Sequence, residues 1–345
     1  VPRTGKMPVP HSPIERGRAE PYDVPMPQET TPPRGVYTAE VVENRLLCEN
    51  HYLLTVRAAG LPSTRPGQFV QLQCRPIREQ VVAREANWPP GEPPRLSQPE
   101  LADREPFLRR PFSLAGRRDG PGGAELDLIY LRRGAGTRWL AEEVKPGERL
   151  SLLGPLGNGF QLRPGRSHAA LVGGGVGIPP MMHLADSLSQ AGVKAVAFCG
   201  ARGRGLLPLT LAEGCAPAAE GEPTLCVSEF ARSTTPSVVT TDDGSLGMQG
   251  LVSVALERWL DANTLGAADV TVYCCGPEPM MRAVGGLCAG RGIECQHAME
   301  RHMACGMGTC QSCVVKIADQ TPRGWSYKLC CTDGPVFDSR SIVWE

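Results

Sequence analysis

Near the carboxyl end, the run Cys305-Gly-Met-Gly-Thr-Cys310-Gln-Ser-Cys313 has four residues between its first two cysteines and two between the next pair, and Cys330 and Cys331 follow after a hydrophilic stretch. Thiolates are soft ligands, and this spacing with a distant fourth cysteine is that of plant-type 2Fe-2S ligation. Three thiolates on one tight loop converge on a single cluster. Gly306 and Gly308 let backbone amides approach its sulfurs, and Cys330 or Cys331 closes the set from a distant strand. The competing chemistry is a four-cysteine zinc site, but zinc knuckles pair two short hooks, and the first hook here has three members. The remaining thiols, such as Cys48, Cys74, Cys199, Cys215, Cys226 and Cys288, lie in apolar runs and read as core residues.

Two other stretches carry chemistry. Arg110-Pro111-Phe112-Ser113 leads into a strand-like run, and Gly134-Ala-Gly136-Thr137 follows Ile129-Tyr130 closely. Glycines and a hydroxyl opening a helix over 137–144 make a phosphate seat. The Arg110 guanidinium then pairs with a diphosphate, and the Ser113 hydroxyl hydrogen-bonds a flavin ring nitrogen. The bland alternative is a surface arginine and a plain turn. Farther on, Gly173, Gly174, Gly175 and Gly177 stand directly after a buried strand and before a helix, where backbone amides cradle a pyrophosphate. This loop departs from G-x-G-x-x-G, because its third glycine falls one residue early and Pro179 and Pro180 occupy the helix start. The turn Cys274-Cys275-Gly276-Pro277-Glu278-Pro279-Met280 ends a later strand, and Cys275 is expected either against a nicotinamide ring or as a buried thiol. Ser113 and Cys275 are the candidate catalytic residues.

These pieces need elements to hold them. Short alternating or apolar runs at 37–47, 52–58, 68–74, 125–132 and 150–153 predict a small antiparallel barrel. From residue 169 apolar strands alternate with amphipathic helices, which predicts a parallel sheet with crossover helices: strands at 169–172, 195–199, 224–227 and 270–274, helices at 180–190, 250–263 and 279–290. Residues 1–36 hold nine prolines and no periodic apolar pattern, which predicts a disordered tail. The Pro- and Glu-rich stretch 77–107 reads as a surface insertion.

Composition narrows the class. The 345 residues suffice for about two domains. Lys plus Arg and Asp plus Glu both count 36, so there is no net field to hold nucleic acid or anionic lipid. No apolar stretch approaches the ~20 residues of a membrane span, and no signal peptide opens the chain, so a cytoplasmic location is expected. Fourteen cysteines in such a chain point to metal or redox chemistry rather than disulfides.

In this order the motifs resemble the ferredoxin reductase superfamily, and within it the electron-transfer subunits of dihydroorotate dehydrogenase B. The superfamily features are Arg110-Pro-Phe-Ser113, Gly154-Pro-Leu-Gly-Asn-Gly-Phe160 between domains, the Gly173 to Pro180 loop and Cys275-Gly-Pro-Glu-Pro-Met280. The narrower features are Met299-Glu-Arg-His-Met-Ala-Cys305 continuing through Cys313-Val-Val-Lys, then Cys331-Thr-Asp-Gly-Pro-Val-Phe337, with Thr241-Asp-Asp-Gly-Ser-Leu-Gly247 before a late helix.

The resemblance implies a multidomain β plus α/β chain. Its parts are an FAD-binding antiparallel barrel at 37–165, a Rossmann-like NAD-binding parallel-sheet domain at 166–292 and a 2Fe-2S subdomain at 293–345. It implies flavin contacts from Arg110, Pro111, Phe112, Ser113, Tyr130, Gly136 and Thr137, and nucleotide contacts from Gly173, Gly174, Gly175, Gly177, Cys275, Gly276 and Pro277. Cluster ligands would be Cys305, Cys310, Cys313 and Cys331, since the family's last ligand stands two residues before Asp-Gly-Pro. Cys330 departs from the pattern. Electrons would arrive from an FMN-bearing subunit that oxidises dihydroorotate, in a heterotetramer of two plus two, and leave through the cluster and FAD to NAD. Met303 and Met307 are candidate docking contacts, the alternative being that both pack under the cluster. Arg202 and Arg204 would suit a 2'-phosphate and hence NADP, whereas the resemblance implies NAD. Sulfhydrogenase gamma subunits and the small subunit of an NADH-dependent ferredoxin:NADP oxidoreductase share the layout, but Cys305 and Gln311-Ser312 argue against both.

Overall fold

The computed structural model describes residues 34–77, 91, 106, 108–163 and 165–344. The expected tail lies outside the described residues up to 33, as does most of the expected insertion. The first strand already begins at Gly35, so residues 35 and 36 belong to the sheet rather than to a tail.

Seven antiparallel strands form the first sheet: β1 (Gly35–Cys48), β2 (His51–Ala58), β3 (Phe69–Leu72), β4 (Arg110–Ser113), β5 (Gly116–Gly120), β6 (Gly123–Leu131) and β7 (Arg149–Leu156), in the order β4-β3-β7-β1-β2-β6-β5. Alternation drives the curl. Leu54 and Val56 of β2, Leu126 and Leu128 of β6, Val70 and Leu72 of β3, and Leu150 and Leu152 of β7 all bury into one core. The edge strands β4 and β5 are not hydrogen-bonded to each other, which leaves the barrel open on that side. Apolar residues also stand on the other faces of β3 and β7. Phe69, Leu153 and Leu156 join a second core shared with the rest of the chain. Helix α1 (Ala135–Glu143) fills the gap between β6 and β7 and buries Leu140.

The second sheet comprises β8 (His168–Gly174), β9 (Lys194–Ala201), β10 (Ser237–Thr241), β11 (Met248–Gln249), β12 (Val270–Cys275), β13 (Glu294–Ala298) and, later in the chain, Val336–Asp338, in the order β11-β10-β9-β8-β12-β13 and then that last strand. All pairs are parallel except the last, where Val336–Asp338 runs antiparallel to β13. Helices α2 (Pro179–Gln190) and α3 (Ser228–Ala231) contribute Met181, Leu184, Leu188 and Phe230 to the core on one face. Helices α4 (Val252–Ala262) and α5 (Glu278–Gly290) contribute Leu256, Trp259, Met281 and Val284 on the other. This is a doubly wound sheet whose strand order reverses between β8 and β12. No helix among the described residues is long and apolar enough to cross a membrane.

Two sequence expectations differ from the structure here. The run 224–227 is not a strand: Thr224 and Val227 make only isolated antiparallel bridges, to Ser237 and Leu211. The sheet instead takes Ser237-Val-Val-Thr-Thr241, whose five residues are all buried; β-branched side chains suit a strand covered on both faces even where they carry hydroxyls. The segment read as the start of the cluster region, Glu294–Ala298, is a parallel strand beside β12. The terminal region is thus woven into the nucleotide sheet at both β13 and Val336–Asp338, and it adds the hairpin Val314–Ala318 with Trp325–Leu329.

Candidate redox site

A cavity of about 310 Å³ opens where the barrel meets the carboxyl ends of β8 and β12, the switch point at which open α/β sheets bind ligands. Pro111, Phe112 and Ser113 reach it from β4, Ile129 and Tyr130 from β6, and Thr137 from α1. Val176 and Cys275 close it from the nucleotide sheet, and Met299, Glu300, Arg301 and Met303 from the segment leading to the cysteine loop. Tyr130 is fixed twice: its ring stacks on Tyr52 at 5.4 Å, and its hydroxyl donates to Asn44 Oδ1 at 3.1 Å. Phe112 meets Tyr130 edge-on and contributes to the barrel core as well as to the cavity wall.

Arg110 stands at the amino end of α1 rather than in the cavity wall. A Cβ at Gly136 would come within 3.4 Å of Arg110 Cγ and 3.2 Å of Cys74 Cβ, so the glycine lets the helix start lie tightly against β4. Arg110 Nη1 donates to the Leu108 carbonyl at 2.7 Å. Thr137 Oγ1 accepts from Arg133 N at 2.9 Å and Gly134 N at 3.2 Å, ordering the turn into α1. A guanidinium and an exposed helix start with an ordered amide turn are together a fitting seat for a diphosphate.

The glycine loop and the Cys275 turn pack backbone against backbone. Cys275 lies opposite Gly173 in the β8–β12 register. A Cβ at Gly177 would overlap the Cys275 carbonyl, and one at Gly174 would meet Met280 Sδ at 2.7 Å and Pro277 Cδ at 2.9 Å. These predicted residues therefore form one continuous strand-end surface. Burial pushes the Cys275 thiol well above its usual range, so it faces the cavity neutral.

In the cysteine loop, Cys305 Sγ accepts from the backbone N–H of Met307 and of Cys310, each at 3.4 Å, the amide-to-sulfur pattern a cluster loop needs. The Ser312 hydroxyl, then the backbone of Cys305 and Ser312, hold the Cys310 thiol down at about 6. Burial, then the neighbouring Cys313 sulfur, push Cys331 up to about 12, while the Gly308 amide hydrogen-bonds it. Cys330 instead donates to the Met299 carbonyl at 3.1 Å. Among the described residues no three His, Cys, Asp or Glu side chains converge on a single ion; a two-iron cluster asks only two thiolates per iron. Cys305, Cys310, Cys313 and Cys331 thus fit the donor set of a 2Fe-2S group. Met303 is half-buried in the cavity wall, and Met307 is half exposed.

Sequence reasoning missed several residues that assemble this site. Asn158 donates through Nδ2 to the Asp333 carbonyl at 3.0 Å and the Val336 carbonyl at 2.9 Å, and its Oδ1 accepts from Val336 N at 2.9 Å. It clamps the segment after β7 onto the residues following Cys331. Arg301 donates to the carbonyls of Glu300 and Val314 and faces Glu278 at 3.6 Å, tying the approach to the cysteine loop to α5. Both lie inside motifs quoted above, 154–160 and 299–305, but those motifs give neither side chain a role, because each acts on partners distant in sequence.

Residues 300–343 match the family described as the iron-sulfur cluster binding domain of dihydroorotate dehydrogenase B. The chain is 33% identical over 307 residues to the dihydroorotate dehydrogenase B (NAD(+)) electron transfer subunit of Bacillus caldolyticus, covering 88% of this chain and 96% of that protein. It is 30% identical over 311 residues to that of Desulforamulus reducens, covering 90% and 99%. The solved structure of an NADH-dependent reduced ferredoxin-NADP oxidoreductase, studied for flavin-based electron bifurcation, superimposes with a TM-score of 0.66 at 23% identity, over 89% of this chain and 90% of that one. The fold is therefore that of ferredoxin reductases, and the chain belongs to the family of dihydroorotate dehydrogenase B (NAD(+)) electron transfer subunits.

Proposed function

We propose that this chain is the subunit that conveys electrons from an FMN-bearing dihydroorotate dehydrogenase partner to NAD in pyrimidine biosynthesis. The observation that carries the reading is a continuity: Met303 walls the cavity, and Cys305 opens the cysteine loop two residues later. When bound, the cluster supplies single-electron transfer and FAD the exchange between one-electron and hydride chemistry.

The chain's own part is to hold and orient. Cys305, Cys310, Cys313 and Cys331 hold the cluster. Arg110 and the start of α1 hold the flavin diphosphate, Ser113 orients the ring, and Tyr130 walls it. Gly173, Gly174, Gly175 and Gly177 with Gly276 and Pro277 admit the nicotinamide nucleotide, and the neutral Cys275 packs at the ring. The buried Cys275, Cys313 and Cys331 and the apolar cavity wall keep water from the inner part of the path, while Cys310 stays at the surface.

NAD is favoured over NADP by Asp243. Its carboxylate accepts from Ser245 N at 2.9 Å and Ser245 Oγ at 2.6 Å, and a Cβ at Gly203, between Arg202 and Arg204, would meet Asp243 Oδ2 at 2.5 Å. An acidic group at a strand end of such a sheet suits a free ribose hydroxyl and repels a phosphate. Docking of the partner falls to the exposed face of the cysteine loop, around Met307, in a cytoplasmic heterotetramer of two plus two.

Reconstitution tests the reading. The isolated chain is expected to oxidise NADH with artificial acceptors yet to form no NADH from dihydroorotate until the FMN-bearing subunit is added. Dihydroorotate oxidation by this chain alone would overturn it.

A further inference from the structure

Gln71 sits on β3, on the face that turns away from the barrel core. It shares that face with Phe69, two residues earlier, and pairs across the ladder with Pro111 on β4. Both neighbours line the cavity. Gln71 is wholly buried, and neither its Nε2 nor its Oε1 has a hydrogen-bond partner among the described residues. A buried carboxamide with both ends unmet is costly, so it needs an explanation.

What it faces supplies one. A Cβ at Gly306, in the loop between Cys305 and Cys310, would come within 2.7 Å of both Gln71 Cδ and Oε1 and 3.0 Å of Nε2. Gly306 also has φ of 70°, a conformation that glycine adopts freely. The amide of a barrel strand is therefore pressed against the bare backbone of the cysteine loop, on the side toward the cavity.

We propose that Gln71 is a positioning residue for the cluster: its Nε2 donates a hydrogen bond to a sulfur of the bound 2Fe-2S group and so raises that group's reduction potential. The inference rests on the reading of residues 305–313 and 331 as a cluster site. Hydrogen bonds to cluster sulfurs stabilise the more negative reduced form. Gln71 itself exchanges neither proton nor electron.

The test uses the holoprotein with 15N in glutamine side chains, in a Gln311→Ala background that removes the glutamine of the cysteine loop itself. Pulsed EPR of the reduced cluster should show a 15N hyperfine coupling that disappears in Gln71→Leu. In that variant flavin and iron content should be kept while the cluster's midpoint falls, a tenfold change in its one-electron equilibrium being 59 mV. If Gln71→Leu fails to retain its cluster, the coupling in the Gln311→Ala protein still decides. A reduced-cluster signal without glutamine coupling overturns the role of Gln71. No 2Fe-2S signal at all overturns the cluster reading instead.

Discussion

The buried Cys330 thiol donates to the Met299 carbonyl at 3.1 Å, and burial, then the Cys313 sulfur, push it up, so it is a protonated packing group. Its neighbour Cys331 lies against Cys313 and the Gly308 amide. The cysteine doublet is thereby divided between two tasks. Cys330→Ser keeps a donor for the Met299 carbonyl and is expected to retain full iron, whereas Cys331→Ser and Cys310→Ser should lose most of it and keep FAD, since a hydroxyl replaces a soft thiolate poorly on iron. Iron and flavin per chain are the measurements. Full iron in Cys331→Ser with loss in Cys330→Ser would reverse the assignment.

Arg110 and Ser113 occupy the two ends of one short strand and should fail differently. Arg110 lies at the α1 start, where a diphosphate would sit, so Arg110→Ala should purify with little flavin. Ser113 lies in the cavity wall, so Ser113→Ala should keep its flavin but slow flavin reduction by NADH by about tenfold or more. Stopped-flow reduction and flavin content separate the two; a Ser113→Ala protein that loses flavin yet reacts at the parental rate would place the hydroxyl elsewhere.

Much of this arrangement was legible in sequence, because cysteine spacing and glycine-rich strand ends are local signals. The turn at Cys275 and the loop at Gly177 announce themselves within a few residues, although their backbone contact does not. What was illegible is long-range. Asn158 falls within the 154–160 motif, which names no partner for its side chain, yet it closes three hydrogen bonds to residues about 175 positions away. The strand Ser237–Thr241 carries three hydroxyl residues and was passed over for the more apolar 224–227, because propensity alone cannot report burial on both faces. Gln71 reads as the polar member of an alternating strand, and only the packed fold shows that its side chain is buried.

Two buried histidines predict an acid-labile fold. His297 and His183 are almost wholly shielded, each with Nδ1 unpartnered, and burial lowers both to about 4. The unfolded chain takes up these protons near pH 6.5, before the folded one does. Their contribution is therefore intact above that pH and is lost as pH falls from about 6.5 toward 4, by about 2 kcal/mol for each at pH 5. Urea midpoints at pH 7.5 and 5.0 should show this loss, and His297→Gln, though less stable overall, should show a smaller difference between the two pH values. An equal pH-induced loss in parent and variant would remove His297 from the account.

Asp243 makes the final prediction, on coenzyme choice. The Ser245 hydroxyl and amide hold its carboxylate below the usual range, so it is ionised at neutral pH beside the exposed Arg202 and Arg204. The two guanidiniums would draw a 2'-phosphate, and the fixed negative charge against Gly203 opposes it. Asp243→Asn removes the charge while keeping an acceptor for Ser245. NADPH oxidation with an artificial acceptor should then rise relative to NADH by about tenfold in kcat/KM, roughly 1.4 kcal/mol. Adding Arg202→Ala should return the ratio toward its parental value, because the attraction that Asp243 had opposed is gone. An Asp243→Asn protein with an unchanged NADPH to NADH ratio would mean that the discrimination lies elsewhere in the nucleotide site.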